Sequence, residues 1–225
     1  MLFTVFTPTY NRAKLLQRVY HSLKKQECTE FEWLIVDDGS IDDTELLVAE
    51  WIETEKEFPI RYFKKENEGK HIAINFGVAK ANGIFFTILD SDDQFTTTAL
   101  KSYKENLHLI EKAEFGGIIG LNQNSIGEIT GTEFPLDKMY ADFPTLYYKL
   151  NLKGDKSVLW KTEYLKLFPF PKQENVNFVS ESVVWHPLSM KYPVLCINEF
   201  IGIIEYQSSG LSDSSYKKAF LKGIA

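Results

Sequence analysis

At 225 residues, 44% of them hydrophobic and 25% charged, the chain is long enough to bury one large core. Its net charge of −6 excludes a broad basic surface for a nucleic-acid backbone. The two cysteines, Cys28 and Cys196, match no metal or redox spacing and read as thiols of a reducing compartment.

Met1-Leu2-Phe3-Thr4-Val5 enters a strand-like run with no basic n-region or cleavage site, so no signal peptide is expected. No apolar run approaches the roughly twenty residues that cross a bilayer. A soluble, cytoplasmic protein is expected, with peripheral contact at the inner face of the membrane left open.

Leu2 to Thr7 has the continuous apolar composition of a buried strand and ends in Pro8-Thr9-Tyr10-Asn11-Arg12. Ala13 to Lys25 carries Leu15, Leu16, Val19, Tyr20 and Leu23 as a helical stripe. Phe31 to Val36 is a second strand, ending at Asp37-Asp38-Gly39-Ser40, and Asp42 or Asp43 is placed to cap a helix through about Glu55. Ile60 to Phe63 is a third strand. Asn67-Glu68-Gly69-Lys70 leads into a helix over His71 to Ala81, stopped by Asn82-Gly83. The fourth strand, Ile84 to Leu89, opens onto Asp90-Ser91-Asp92-Asp93, and Thr98 to Ala113 repeats apolar residues at helical spacing. Alternating strands and helices with short connections predict a parallel, doubly wound sheet.

The second half has a different pattern. Phe115 to Leu121 is strand-like, Gly127 to Thr132 a hairpin or loop, and Lys138 to Leu150 a predicted helix. Val158-Leu159-Trp160 reads as a strand, and Phe168-Pro169-Phe170-Pro171 as extended or turning. A helix over Glu181 to Tyr192 is expected to be interrupted by Pro187, and Val194 to Tyr206 is a long strand-like run. The polar Gln207–Ser215 loop is a candidate lid over a bound donor. The sequence ends at Ala225 without a stop signal, which leaves a natural C-terminal extension open.

In an open parallel sheet, ligands bind at the carboxyl ends of the strands. Three of the four N-terminal strands end there in polar residues: Thr7 to Arg12, Asp37 and Asp38, and Asp90 to Asp93. No glycine fingerprint follows the first strand and no P-loop is present, so neither a dinucleotide nor a P-loop phosphate cradle is expected. Carboxylates repel phosphate unless a divalent cation stands between them, which points to a nucleotide diphosphate bridged by Mn²⁺ or Mg²⁺.

The motifs Phe6-Thr7-Pro8-Thr9-Tyr10-Asn11-Arg12, Val36-Asp37-Asp38-Gly39-Ser40, Asn67-x-Gly69 with Asn75-x-Gly77 and Ala81-x-Gly83, and Leu89-Asp90-Ser91-Asp92-Asp93 run in that order across residues 1–125. In this the chain resembles the family 2 glycosyltransferases of GT-A fold. The resemblance implies an α/β, Rossmann-like, mostly parallel central sheet flanked by helices. Residues 1–125 would form the nucleotide-sugar-binding half, and 126–225 a smaller, mixed acceptor-binding half of the same domain. It implies an inverting transferase that moves a sugar from a nucleotide-diphosphate donor, UDP by family habit, to a hydroxyl of a saccharide or lipid-linked acceptor in surface polysaccharide or glycolipid synthesis.

Residue by residue, the resemblance implies that Pro8, Thr9 and Tyr10 line the nucleoside, with Tyr10 on the base, and that Asp38 meets the base edge, Asp37 being the weaker candidate. Arg12 and Ser91 join the nucleotide-binding set, and Lys70 would neutralise phosphate. Asp90 stands nearer the ribose and Asp92 on the metal, with Asp93 extending the Asp-x-Asp pair. Glu181, where the family commonly has Glu-Asp and this chain has Glu181-Ser182, is the candidate general base.

Several conspicuous residues have plainer readings. His71 is expected on a helix surface and His186 as a minor metal or phosphate candidate. Trp160 and Trp185 either stack on sugar or fill the core, with core packing expected for at least one. Two other functions compete: a sugar-phosphate nucleotidyltransferase, which calls for a glycine-rich basic loop that Thr7–Arg12 lacks, and a sugar-nucleotide-binding module without turnover, suggested by the Glu-Ser pair.

Overall fold

Every residue of β1 (Phe3–Thr9) and β2 (Phe31–Asp37) is buried: these largely apolar strands are covered on both faces, and Thr4, Thr7 and Glu32 within them are taken into buried hydrogen bonds. The computed structural model describes residues 1–172, 176 and 178–205. Between and after these strands lie α1 (Ala13–Leu23), α2 (Thr44–Thr54), β3 (Ile60–Lys64), α3 (Lys70–Lys80), β4 (Phe85–Ile88), β5 (Gln94–Phe95) and α4 (Ala99–Asn106). The second half adds β6 (Gly117–Gln123), β7 (Met139–Ala141), β8 (Ser157–Lys161), α5 (Thr162–Leu165), α6 (Ser182–Lys191) and β9 (Val194–Ile203).

One sheet runs β3-β2-β1-β4-β8-β6-β9-β5, with β7 on β9. The β3, β2, β1 and β4 strands are mutually parallel, and their register aligns Thr9 with Asp37 and Ile88 with Phe6. The polar segments after β1, β2 and β4 therefore emerge along one edge. The sheet turns mixed at β8, antiparallel to both β4 and β6, while β6 and β9 are parallel. Helices cover both faces: α1, α2 and α4 pack over Trp33, Val5 and Ile118, and α3, α5 and α6 over Phe6, Phe86 and Trp160.

The opposite end of the strands carries a buried polar network. Glu32, 1% exposed, accepts hydrogen bonds from Thr4 Oγ1 at 2.7 Å, Asn82 N at 2.7 Å and Nδ2 at 2.9 Å, and Arg61 at 2.9 Å. Burial works against the Glu32 carboxylate, but the bonds from Thr4, Asn82 and Arg61 prevail and hold its pKa below the ordinary 4.5. A carboxyl lowered on folding adds stability above its unfolded pKa and loses it as pH falls through the folded value. Urea midpoints measured from pH 7 to pH 3 should therefore fall through and below the ordinary carboxylate range. The Glu32→Gln protein should be less stable at pH 7 and lose less over that range. Parallel curves for the two proteins would remove Glu32 from the acid response.

Three elements differ from their sequence-based expectation. The helix expected over Lys138 to Leu150 is instead β7, which pairs Met139 with Cys196 and Ala141 with Val194, followed by a single wide turn over Thr145–Lys149. Pro144 lacks the N–H a continuous helix needs, and β9, paired on one side with β6, offers its other side as a strand partner. The helix expected over Thr98 to Ala113 is α4 followed by a tighter 3₁₀ turn, Leu107–Ile110. By contrast α6 runs uninterrupted through Pro187, since Pro187 and Val183, whose carbonyl Pro187 leaves unpaired, both lie on the exposed side. The Gln207–Ser215 segment lies outside the described residues. Among the described residues, no helix is long and apolar enough to cross a membrane.

Candidate active site

The loops after β1 and β2 are tied to each other. Asn11, held at φ 53°, donates its backbone N–H to Ser40 Oγ at 2.8 Å and accepts from Ile41 N at 2.8 Å; Ala13 N donates to Asp42 at 3.1 Å. These bonds leave Tyr10 projecting from the edge, 48% exposed. Thr9 is buried beneath it, and its Oγ1 has no partner among the described residues. Pro8 lies within β1, paired to Val36.

Asp37 and Asp38 diverge in use. Asp37 accepts from Ser40 N at 2.7 Å and from the Tyr62 hydroxyl at 2.5 Å, fully buried. Asp38 organises the approach to α3, accepting from Lys65 Nζ at 2.8 Å, Glu68 N at 3.1 Å and Gly69 N at 2.8 Å. Gly69, at φ 96°, makes the turn that starts α3, a backbone conformation costly for any residue with a Cβ. His71 is 2% exposed rather than on a helix surface, because the first turn of α3 buries it beside Asp38 and Glu68. Burial depresses its pKa, against the pull of Asp38 and Glu68, and favours the neutral ring.

The acids after β4 each have a distinct neighbour. Asp90 pairs with Lys70 Nζ at 2.7 Å, Asp92 with Arg12 at 2.9 Å, and Asp93 accepts weakly from Glu205 N at 3.4 Å. Ser91 between them is 8% exposed. Asp93 is pushed up to about 8, first by burial and then by the charges of Asp90 and Asp92. This is a cluster of hard oxygen donors whose mutual repulsion a divalent cation would relieve, so the donor chemistry fits Mg²⁺ or Mn²⁺. No group of three such side chains is gathered around one point among the described residues. Oxygens from a bound ligand would have to complete the coordination.

Lys70, at the start of α3, bridges two segments that lie far apart in the chain. Its Nζ also lies 2.8 Å from Glu181 Oε1, so one ammonium is shared between a carboxylate at the end of β4 and one at the start of α6. Burial alone would lower the Lys70 pKa; the charges of Asp90 and Glu181 overcome it and keep the ammonium protonated. Glu181 Oε2 accepts from Trp185 Nε1 at 3.1 Å. Burial raises the Glu181 pKa, but Lys70 and the Trp185 bond bring it below the ordinary carboxylate value, so Glu181 is ionised at neutral pH.

The arrangement gathers Arg12, Lys70, Asp90, Asp92, Asp93 and Glu181 into one charged cluster. His186 is not part of it and packs against Phe143 and Tyr148. Trp160 and Trp185 are both buried, 5.5 Å apart. The pairing of Arg12 with Asp92 and of Lys65 with Asp38 spans 80 and 27 residues, and neither pair leaves a local signal in the sequence.

Residues 4–163 match the family model described as Glycosyl transferase family 2. The GalNAc(5)-diNAcBac-PP-undecaprenol beta-1,3-glucosyltransferase of Campylobacter jejuni is 29% identical over 96% of this chain and 78% of its own length. The putative teichuronic acid biosynthesis glycosyltransferase TuaG of Bacillus subtilis is 26% identical over 97% of this chain and 84% of its own. Among solved structures, S. aureus TarS 1-349 in complex with UDP-GlcNAc superposes with a TM-score of 0.73 at 21% identity over 95% of this chain. The mannosyltransferase PcManGT from Pyrobaculum calidifontis, in complex with GDP-Man and Mn2+, gives 0.65 at 19% identity over 99%. This chain spans 61% and 64% of those two chains, and at such identities they establish likeness of fold, the expected GT-A architecture.

Proposed function

The chain belongs to glycosyl transferase family 2, and on that premise we propose that it is an inverting glycosyltransferase using a UDP-sugar and a lipid-linked or saccharide acceptor in surface-polysaccharide or glycolipid assembly. The observation that carries this reading is the shared ammonium of Lys70, which holds Asp90 of the nucleotide-side half and Glu181 of the acceptor-side half in one ion cluster. Residues 1–125 would bind the nucleotide sugar and the remainder the acceptor. The acceptor class follows the undecaprenol-linked substrate of the Campylobacter jejuni relative, and the nucleotide follows the UDP-GlcNAc in TarS. The exposed ring of Tyr10 is available to pack on the base, with Pro8 and the unpartnered Thr9 hydroxyl beneath it.

Asp92, with Asp90 and Asp93, would hold Mn²⁺ or Mg²⁺, which supplies positive charge to the diphosphate leaving group. Arg12 and Lys70 add fixed cations to the same region. Glu181 accepts the proton of the acceptor hydroxyl as that oxygen bonds to the anomeric carbon. The carbon–oxygen bond to the diphosphate breaks on the opposite face, and its electron pair leaves with the nucleotide. A single displacement inverts the anomeric centre. Peripheral binding at the cytoplasmic face of a membrane would bring such an enzyme to a lipid-linked acceptor.

The test is nucleotide release from a panel of UDP- and GDP-sugars with Mn²⁺ or Mg²⁺, with and without polyprenyl-diphosphate saccharides. One donor is expected to be turned over, faster with acceptor and with inverted product. Retention of configuration, or no turnover of any donor, would overturn the reading.

A further inference from the structure

We propose that Trp185 is a positioning residue for Glu181: its indole N–H holds one carboxylate oxygen while Lys70 holds the other, which sets the direction in which the carboxylate meets the acceptor hydroxyl. The inference rests on Glu181 being the base. Glu181 stands at the start of α6 and Trp185 one turn later, so the two side chains meet across the first turn of the helix. The bond runs from Nε1 to Oε2 at 3.1 Å, and the Lys70 contact to Oε1 is 2.8 Å. Each oxygen thus has one fixed partner and the carboxylate cannot spin freely.

The indole is itself immobile. It is 7% exposed, lies 5.5 Å from the Trp160 ring at 39°, and meets Phe170 edge-on at 5.6 Å and 74°. Phe170 is pinned in turn by Asn75 of α3, whose side-chain amide bonds both the backbone N–H and the carbonyl of Phe170 at 2.8 Å. A chain of contacts therefore runs from α3 through Phe170 to Trp185 and Glu181, referencing the carboxylate to the same helix that carries Lys70. Tryptophan has a donor and no acceptor, so it can bind only a carboxylate lone pair. It stabilises the form of Glu181 that can take a proton and leaves the proton to enter at an uncommitted lone pair. Misalignment of a reacting group by a fraction of an ångström lowers the rate of the chemical step without altering binding.

Trp185 is replaced by 3-benzothienylalanine, which has sulfur in place of the N–H and nearly the same shape, and separately by Phe. Turnover is followed with the nucleotide sugar that the wild-type protein uses fastest in the panel above. With the isostere, kcat should fall about tenfold while KM for the donor, the Kd for UDP with Mn²⁺ and the Tm stay at wild-type values. In a Glu181→Gln background, neither Trp185 variant should lower turnover further, because the group it aligns is gone. Wild-type kcat with the isostere, beside a large loss for Glu181→Gln, would overturn the positioning role and leave the base assignment standing. A small effect of Glu181→Gln, or no wild-type turnover at all, would overturn the premise and the inference with it. A loss with Phe alone and full activity with the isostere would identify Trp185 as packing only.

Discussion

Glu181→Gln is expected to lower kcat for sugar transfer by about 10²- to 10⁴-fold while leaving UDP binding nearly unchanged, the loss characteristic of removing a positioned general base. Gln matches Glu in shape and can still accept the Trp185 N–H, so packing at the start of α6 should survive. What the substitution would remove is the proposed acceptor of the hydroxyl proton, together with the charge that pairs with Lys70 at 2.8 Å. Lys70 keeps Asp90 as a partner, which is why donor affinity should be little affected. The check is kcat with the best donor–acceptor pair alongside calorimetric titration with UDP and Mn²⁺. A loss under tenfold would move the base to another carboxylate.

The second large effect is expected at Asp92. Mn²⁺ is expected to increase the UDP affinity of the wild-type protein, and Asp92→Ala should remove that increase and lower turnover by about 10²- to 10³-fold. This corresponds to losing a few kcal/mol of charge stabilisation at the leaving group. The substitution also frees Arg12, whose guanidinium sits 2.9 Å from Asp92. An unpaired Arg12 could attract the diphosphate directly, so UDP affinity measured without metal should rise modestly or stay level. Titrations with UDP in EDTA and in Mn²⁺ separate the two contributions. Equal Mn²⁺ enhancement in variant and wild type would exclude Asp92 as a ligand to the cation.

The first half of the chain is legible because its signals are local. Largely apolar runs mark β1, β2 and β4, and each ends abruptly in polar residues. Parallel pairing of neighbouring strands then brings those ends to one edge without further information. Identity of the family was legible for the same reason, since its motifs sit in these short connections. The second half is less legible in sequence. Lys138 to Leu150 has apolar spacing compatible with a helix, yet pairing with β9 at Cys196 and Val194 made its first part a strand. Pro187 looked like a helix break, and only its place on the exposed side of α6 let the helix continue. His71 reads as a surface residue from sequence because its neighbours do not reveal that the first turn of α3 buries it.

The alternation of strand and helix, the edge where the polar residues collect, and the residue types available there follow from local sequence alone. Which charges meet depends on packing. Lys70 finds Glu181 from 111 positions away, and Trp185 is held against Glu181 by Phe170, itself fixed by Asn75. Hydrophobic periodicity is written into consecutive residues, whereas an ion pair or an oriented hydrogen bond depends on distances of a few ångströms between segments that only packing brings together.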